Sequence, residues 1–142
     1  MLFRSYAIEK MGKKRVAIAY QNDEYGKNGL RGAQEELKAH GMKSIVEVPF
    51  EVKDSDLKPH VMKLMQSKAD MVLLWTSVGQ AAKVVGMSKA MKFGAQFMST
   101  STCSDFPLMA YITKGAWEGV ICATFGELPD SDFPLQIGRA HV

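Results

Sequence analysis

The sequence predicts an α/β fold: a doubly wound, open parallel sheet of about five strands with helices on both faces. Three observations carry this expectation. Short apolar and β-branched runs alternate with amphipathic stretches along nearly the whole chain, which is the pattern of a parallel sheet covered by helices. Two of the runs, Val16-Ala17-Ile18-Ala19-Tyr20 and Met71-Val72-Leu73-Leu74-Trp75, are apolar on both faces, as strands sandwiched between helix layers must be. Clusters of capping and turn residues separate strand from helix.

Taken in order, Arg15 to Tyr20 reads as the first strand. Gln21-Asn22-Asp23-Glu24-Tyr25-Gly26 then offers capping side chains, and Gly26 to His40 follows as a helix with Leu30, Ala33 and Leu37 on one stripe. Gly41, free to take positive φ, ends it. Ser44 to Phe50 is the second strand. Asp54-Ser55-Asp56 is expected to cap a helix that turns Leu57, Val61, Leu64 and Met65 to the sheet. Met71 to Trp75 is the third strand and Val78 to Met91 the third helix, with Ala81, Val84, Val85 and Met91 inward. Ala95 to Met98 reads as a short strand, Pro107 to Thr113 as a short helix and Gly119 to Thr124 as a fifth strand. After Phe125 the composition turns to Gly, Pro and Asp, an exit from the domain.

Length and composition agree with one globular unit: 142 residues, 46% hydrophobic and 23% charged. The longest apolar runs, Met71 to Trp75 among them, fall far short of the roughly 20 residues that cross a bilayer, so direct membrane insertion is not expected. The net charge is +3, and Lys and Arg alternate with Asp and Glu along every segment, so no basic face for nucleic acid emerges. Cys103 and Cys122 are too few for a metal site or a CxxC motif and read as plain thiols, to be bridged only if the fold brings them within reach.

The ends read differently. Met1 to Ser5 and Ile137 to Val142 resemble translations of the two strands of one short sequencing adaptor. Residues 1–5 and 137–142 are therefore expected to be non-native, with residues 6–136 a slice of a longer protein.

In a doubly wound sheet the ligand edge is the carboxyl end of the strands. Those ends present Gln21 to Tyr25, Thr76-Ser77-Val78 and Ser99-Thr100-Ser101-Thr102, three loops rich in hydroxyls and amides, each leading into a helix whose first turn has unpaired N–H groups. Such an edge suits a small polar or anionic ligand. Ser and Thr also gather at these places simply as caps and turn formers. Enzymatic signals are missing: no G-x-S-x-G surrounds a serine, Gly26, Gly29 and Gly32 are spaced by three rather than as a nucleotide fingerprint, and no P-loop occurs. A glycine row on a helix more often permits close packing. His40, His60 and His141 are not spaced as metal ligands and read as helix-end or surface residues. Met62, Met65, Met87, Met91, Met98 and Met109 read as core filler. Neither an enzyme nor a cofactor is expected.

From Val16 through Gln21-Asn22-Asp23-Glu24-Tyr25-Gly26-Lys27-Asn28-Gly29, and again at Lys68 to Leu74, Gln96-Phe97-Met98 and Glu118-Gly119-Val120, the sequence resembles the branched-chain amino-acid (leucine/isoleucine/valine) binding proteins of ABC transporters. The resemblance implies most of the second lobe of a two-lobed type I clamshell, located in the periplasm or lipid-anchored outside the cytoplasm. Its implied partners are a small ligand, an amino acid or organic acid, and an ABC permease, with the protein a monomer. Carried over by position, Tyr25 packs against the ligand and Ser77 is the contact after the third strand; Thr76 and Thr102, beside Ser77 and Ser101, are expected to bind the ligand with them. Ser101 stands where relatives place an acid against the ligand's ammonium. The same clamshell also serves as the sensing domain of receptors and amide-responsive regulators, which is the alternative reading.

Overall fold

The computed structural model describes residues 8–123. Five parallel strands form one sheet in the order β2-β1-β3-β4-β5: β1 Val16–Gln21, β2 Val46–Phe50, β3 Met71–Trp75, β4 Gln96–Ser99 and β5 Ile121–Cys122. The connecting helices are α1 Glu24–Ala39, α2 Lys58–Gln66, α3 Val78–Ala90 and α4 Phe106–Ile112, with a 3-10 turn at Ser101–Cys103 before α4. The doubly wound α/β fold expected from the sequence is therefore the fold observed.

The two faces of the sheet carry two cores, as the strand period of two requires. Val16, Ile18, Met71, Leu73 and Met98 point to one face, where α1 covers them with Ala33 and Leu37. Ala17, Ala19, Val72, Leu74 and Phe97 point to the other, under Leu57 and the α2 residues Val61 and Leu64, Ala81, Val84 and Val85 of α3, and Met109 and Trp117. Burying each such large side chain contributes roughly 1.5 to 3 kcal/mol. Pro49 lacks an N–H and is tolerated because β2 is an edge strand, paired only with β1.

The chain leaves β1 sideways to β2 over α1, then crosses back through α2 to β3 on the other face. Strand order therefore reverses between β1 and β3, and the helices on either side part there at the carboxyl edge. Helix ends follow local chemistry. Gly41 terminates α1 at φ 68, as its sequence position predicts, and Lys68, Lys92 and Lys114 take the same left-handed conformation after α2, α3 and α4.

Four expectations change in detail. The α2 N-cap is Leu57, with no side-chain cap bond; Asp56 only accepts from the Lys58 N–H, because burial of Leu57 fixes the entry of the chain. β5 is two residues long, since Trp117 to Val120 are held in turns and Gly119 sits at φ 84. Met62 is exposed rather than core, on the solvent side of α2, and His60 is half-buried against the Phe50 ring with centroids 4.8 Å apart. The expected non-native ends, the last residue of the fifth strand at Thr124 and the exit after Phe125 lie outside the described residues.

Candidate functional site

The loop after β1 is built around Asp23. Its extended backbone starts α1, and its carboxylate accepts from the Gly26 N–H at 2.9 Å and from the Gln21 side-chain amide. These bonds, Gly26 first, hold the Asp23 carboxyl below the usual carboxylate range. Two glycines then set how closely α1 meets the sheet. A Cβ on Gly26 would overlap the Gln21 carbonyl, and one on Gly29 would run into the Trp75 indole at the end of β3. The glycine spacing is thus a packing feature.

That close approach puts Tyr25, in the first turn of α1, over the carboxyl edge. Its hydroxyl lies 2.9 Å from Thr100 Oγ1, and Thr100 Oγ1 lies 2.7 Å from Thr102 Oγ1. Thr100 is buried while Tyr25 and Thr102 keep exposed surface, so the chain of hydroxyls runs from the interior to the rim. Ser77 caps α3: its Oγ accepts from the Gln80 N–H at 3.4 Å, and the residue is exposed. Ser101 opens the 3-10 turn half-buried, its carbonyl accepting from both the N–H and the hydroxyl of Ser104.

Parallel register fixes where these loops emerge. Tyr20 pairs with Trp75 and Leu74 with Ser99, so the ends of β1, β3 and β4 are level and Tyr25, Ser77, Ser101 and Thr102 leave the same edge. Thr76 emerges there too, but the strand alternation turns it into the core at 1% exposure, with its hydroxyl 3.4 Å from the Ser77 carbonyl. Its side chain offers no surface at the rim of this lobe.

Several residues at this edge were not singled out from the sequence. Thr100 was one of a run of hydroxyls, and its pairing with Tyr25 spans 75 positions. Gln80 is the third residue after the Ser77 cap, the position of a capping box. Its amide instead donates to the Glu51 carbonyl at 2.9 Å, and the Asn22 amide donates to the Glu51 carboxylate at 2.7 Å, stitching the β2 loop to the rim. The acid nearest in sequence to Ser101, Asp105, caps α4 through the Leu108 N–H at 3.0 Å.

Among the described residues, no group of three or more His, Cys, Asp or Glu side chains could hold a metal, and no helix is long and apolar enough to cross a membrane. The lobe has a groove of about 480 Å³ between the end of α1 and the start of β2, lined by Lys38, Lys43 and Glu47. It opens at the amino edge of the sheet, away from the hydroxyl rim.

The fold is thus an open doubly wound α/β lobe whose carboxyl edge gathers an aromatic, hydroxyls and two helix N-termini. A family profile described as periplasmic binding protein matches residues 3–136. The chain belongs to the periplasmic binding protein family and has its type I lobe fold. No curated protein matches the chain. Among solved structures, a substrate-binding periplasmic protein from Ralstonia solanacearum is 26% identical with a TM-score of 0.72, over 80% of this chain and 32% of its own. A fatty acid ABC transporter substrate-binding protein from Thermomonospora curvata is 24% identical with a TM-score of 0.74, over 83% of this chain and 31% of its own. A leucine binding protein from Thermotoga maritima is similar in fold, with a TM-score of 0.80 at 18% identity, over 89% of this chain and 36% of its own. The chain thus spans about a third of the length of these proteins.

Proposed function

We propose that residues 6–136 are one lobe of a two-lobed solute-binding protein of an ABC importer, which closes on a small carboxylate held at the rim by Tyr25, Ser77, Ser101 and Thr102, with Thr76 behind them. Closure joins the lobes, and the closed form is what a permease recognises. The N-terminus of α3, capped by the neutral Ser77 with no acid in its first turn, favours an anionic group. Tyr25 adds apolar area with a polar tip, suited to an aliphatic or aromatic ligand.

The observation that carries the choice of ligand is the use made of the carboxylates beside the rim. Asp23 and Asp105 both serve as helix N-caps and the Glu51 carboxylate accepts from the Asn22 amide, while Ser101 occupies the position at which the resemblance places an acid against an α-ammonium. A charge-assisted hydrogen bond is worth roughly 1.5 to 3 kcal/mol, and a buried ammonium without a partner costs several more. The reading therefore favours an organic acid over an α-amino acid.

The test is calorimetric titration of the complete parent protein with leucine, valine and a panel of aliphatic and aromatic acids. Binding of an organic acid orders of magnitude tighter than leucine is expected, with Ser101→Asp shifting preference toward leucine. Micromolar leucine binding that survives Ser101→Ala overturns it.

A further inference from the structure

Cys103 and Cys122 are 19 positions apart in sequence, yet the fold makes them neighbours. Both are free thiols. Cys122 ends β5 in register with Ser99 of β4, and Cys103 closes the 3-10 turn that follows β4. The turn folds back because the Cys103 N–H donates to the Thr100 carbonyl at 3.1 Å, and the Cys122 thiol then donates to the Cys103 carbonyl at 3.3 Å. Cys103 is fully buried in the core against which the half-buried Cys122 packs. The Cys122 sulfur is thus in direct contact with the Cys103 backbone, and a bridge between the two needs their Cα atoms within about 4.4 to 6.8 Å.

We infer that Cys103 and Cys122 form an intramolecular disulfide when the chain meets an oxidant that itself carries a disulfide. An extracytoplasmic family places the chain where such oxidants act and cytosolic reductants do not. Cys122, the more exposed thiol, loses its proton and attacks one sulfur of the oxidant, expelling the first thiolate and leaving a mixed disulfide. Cys103 then loses its proton and attacks the Cys122 sulfur, expelling the second. Two protein thiols become one disulfide and the oxidant disulfide becomes two thiols. The bridge closes a loop that contains α4 and pins the turn carrying Ser101 and Thr102 to β5. Its formation does not depend on the proposed ligand; only its bearing on the rim does.

The experiment uses the full chain, reduced, exposed to oxidised glutathione while folded, quenched with a maleimide and digested with trypsin. Cleavage after Lys92, Lys114 and Arg139 separates the cysteines into peptides 93–114 and 115–139. The expected result is a monomer that takes up no maleimide, yields those two peptides joined through Cys103 and Cys122, and melts about 5 to 10 °C above the reduced chain. Cys103→Ser should stop at a glutathione adduct on Cys122. Two maleimides per chain after oxidation, or disulfides found only between chains, overturn the inference. Should Cys103→Ser fail to fold, the peptide map of the wild-type chain decides alone.

Discussion

The Tyr25 hydroxyl meets Thr100 Oγ1 at 2.9 Å, joining the first turn of α1 to the loop that leaves β4. In the sheet β3 lies between β1 and β4, so this bond reaches across the end of a strand at the point where strand order reverses. Tyr25→Phe keeps the ring and deletes the bond. Thr100 retains Thr102 as a partner, so the loss of stability should be modest, about 0.5 to 1.5 kcal/mol by denaturant titration of the chain. In the complete protein, Tyr25→Ala should weaken ligand binding well beyond Tyr25→Phe, because the contact proposed is chiefly with the ring face. Equal effects of the two variants on affinity would assign the role to the hydroxyl instead.

The placement of Tyr25 depends on how closely α1 approaches the sheet, which Gly29 controls against Trp75. Gly29→Ala drives a methyl into the indole and should cost about 1 to 3 kcal/mol, with a change in tryptophan emission. Gly86, in the interior of α3, has nothing within 4 Å of an added Cβ. Gly86→Ala should therefore stabilise by roughly 0.5 to 1 kcal/mol through helix propensity alone. Urea titrations of the two variants should move in opposite directions.

What the sequence disclosed, and what it withheld, divides along the range of the interactions. β3 was legible to the residue because a strand buried on both faces must be an apolar run, and the capping loop before α1 was legible as a run because an N-cap acts within three residues, although which residue caps, Asp23, and the cap role of Ser77 were not. The short β5 was overestimated because Gly119 and the turns before it depend on where Trp117 docks, which no local pattern reports. The rim was legible as three loops, since parallel strands of alternating connection must end together. Its wiring was not: Tyr25 to Thr100 and Gln80 to Glu51 join residues 75 and 29 positions apart. Thr76 looked like a rim hydroxyl, and only the register of β3 turns it inward.

Asp105 permits a direct test of the missing acid. Its carboxylate accepts from the Leu108 N–H and starts α4. Asp105→Asn keeps an acceptor at the cap and should leave both stability and ligand affinity near wild type. Asp105→Ala should lower stability by about 1 kcal/mol, the usual worth of an N-cap side chain. If Asp105→Asn in the complete protein abolished binding of an amino acid, Asp105 would be the ammonium's partner and Ser101 would not mark the absence of one.

In the reduced chain, Cys122 should make stability depend on alkaline pH. Burial, and secondarily the neighbouring Cys103 thiol, push its pKa from 9.0 up to about 11, against a smaller opposing effect of the Trp117 side chain. The folded chain then holds this proton to higher pH than the unfolded chain does. The contribution is complete below pH 9 and is lost as pH rises from about 9 to about 11, so stability falls across that window. The difference between wild type and Cys122→Ser isolates the thiol: the fall should be shallower in the variant. Alkylation of Cys122 with iodoacetamide gives an independent reading, because only the thiolate reacts. Its rate should climb roughly tenfold per pH unit through pH 8 to 10. A rate that levels off below pH 9 would place the thiol in a wetter, less crowded position than β5 provides.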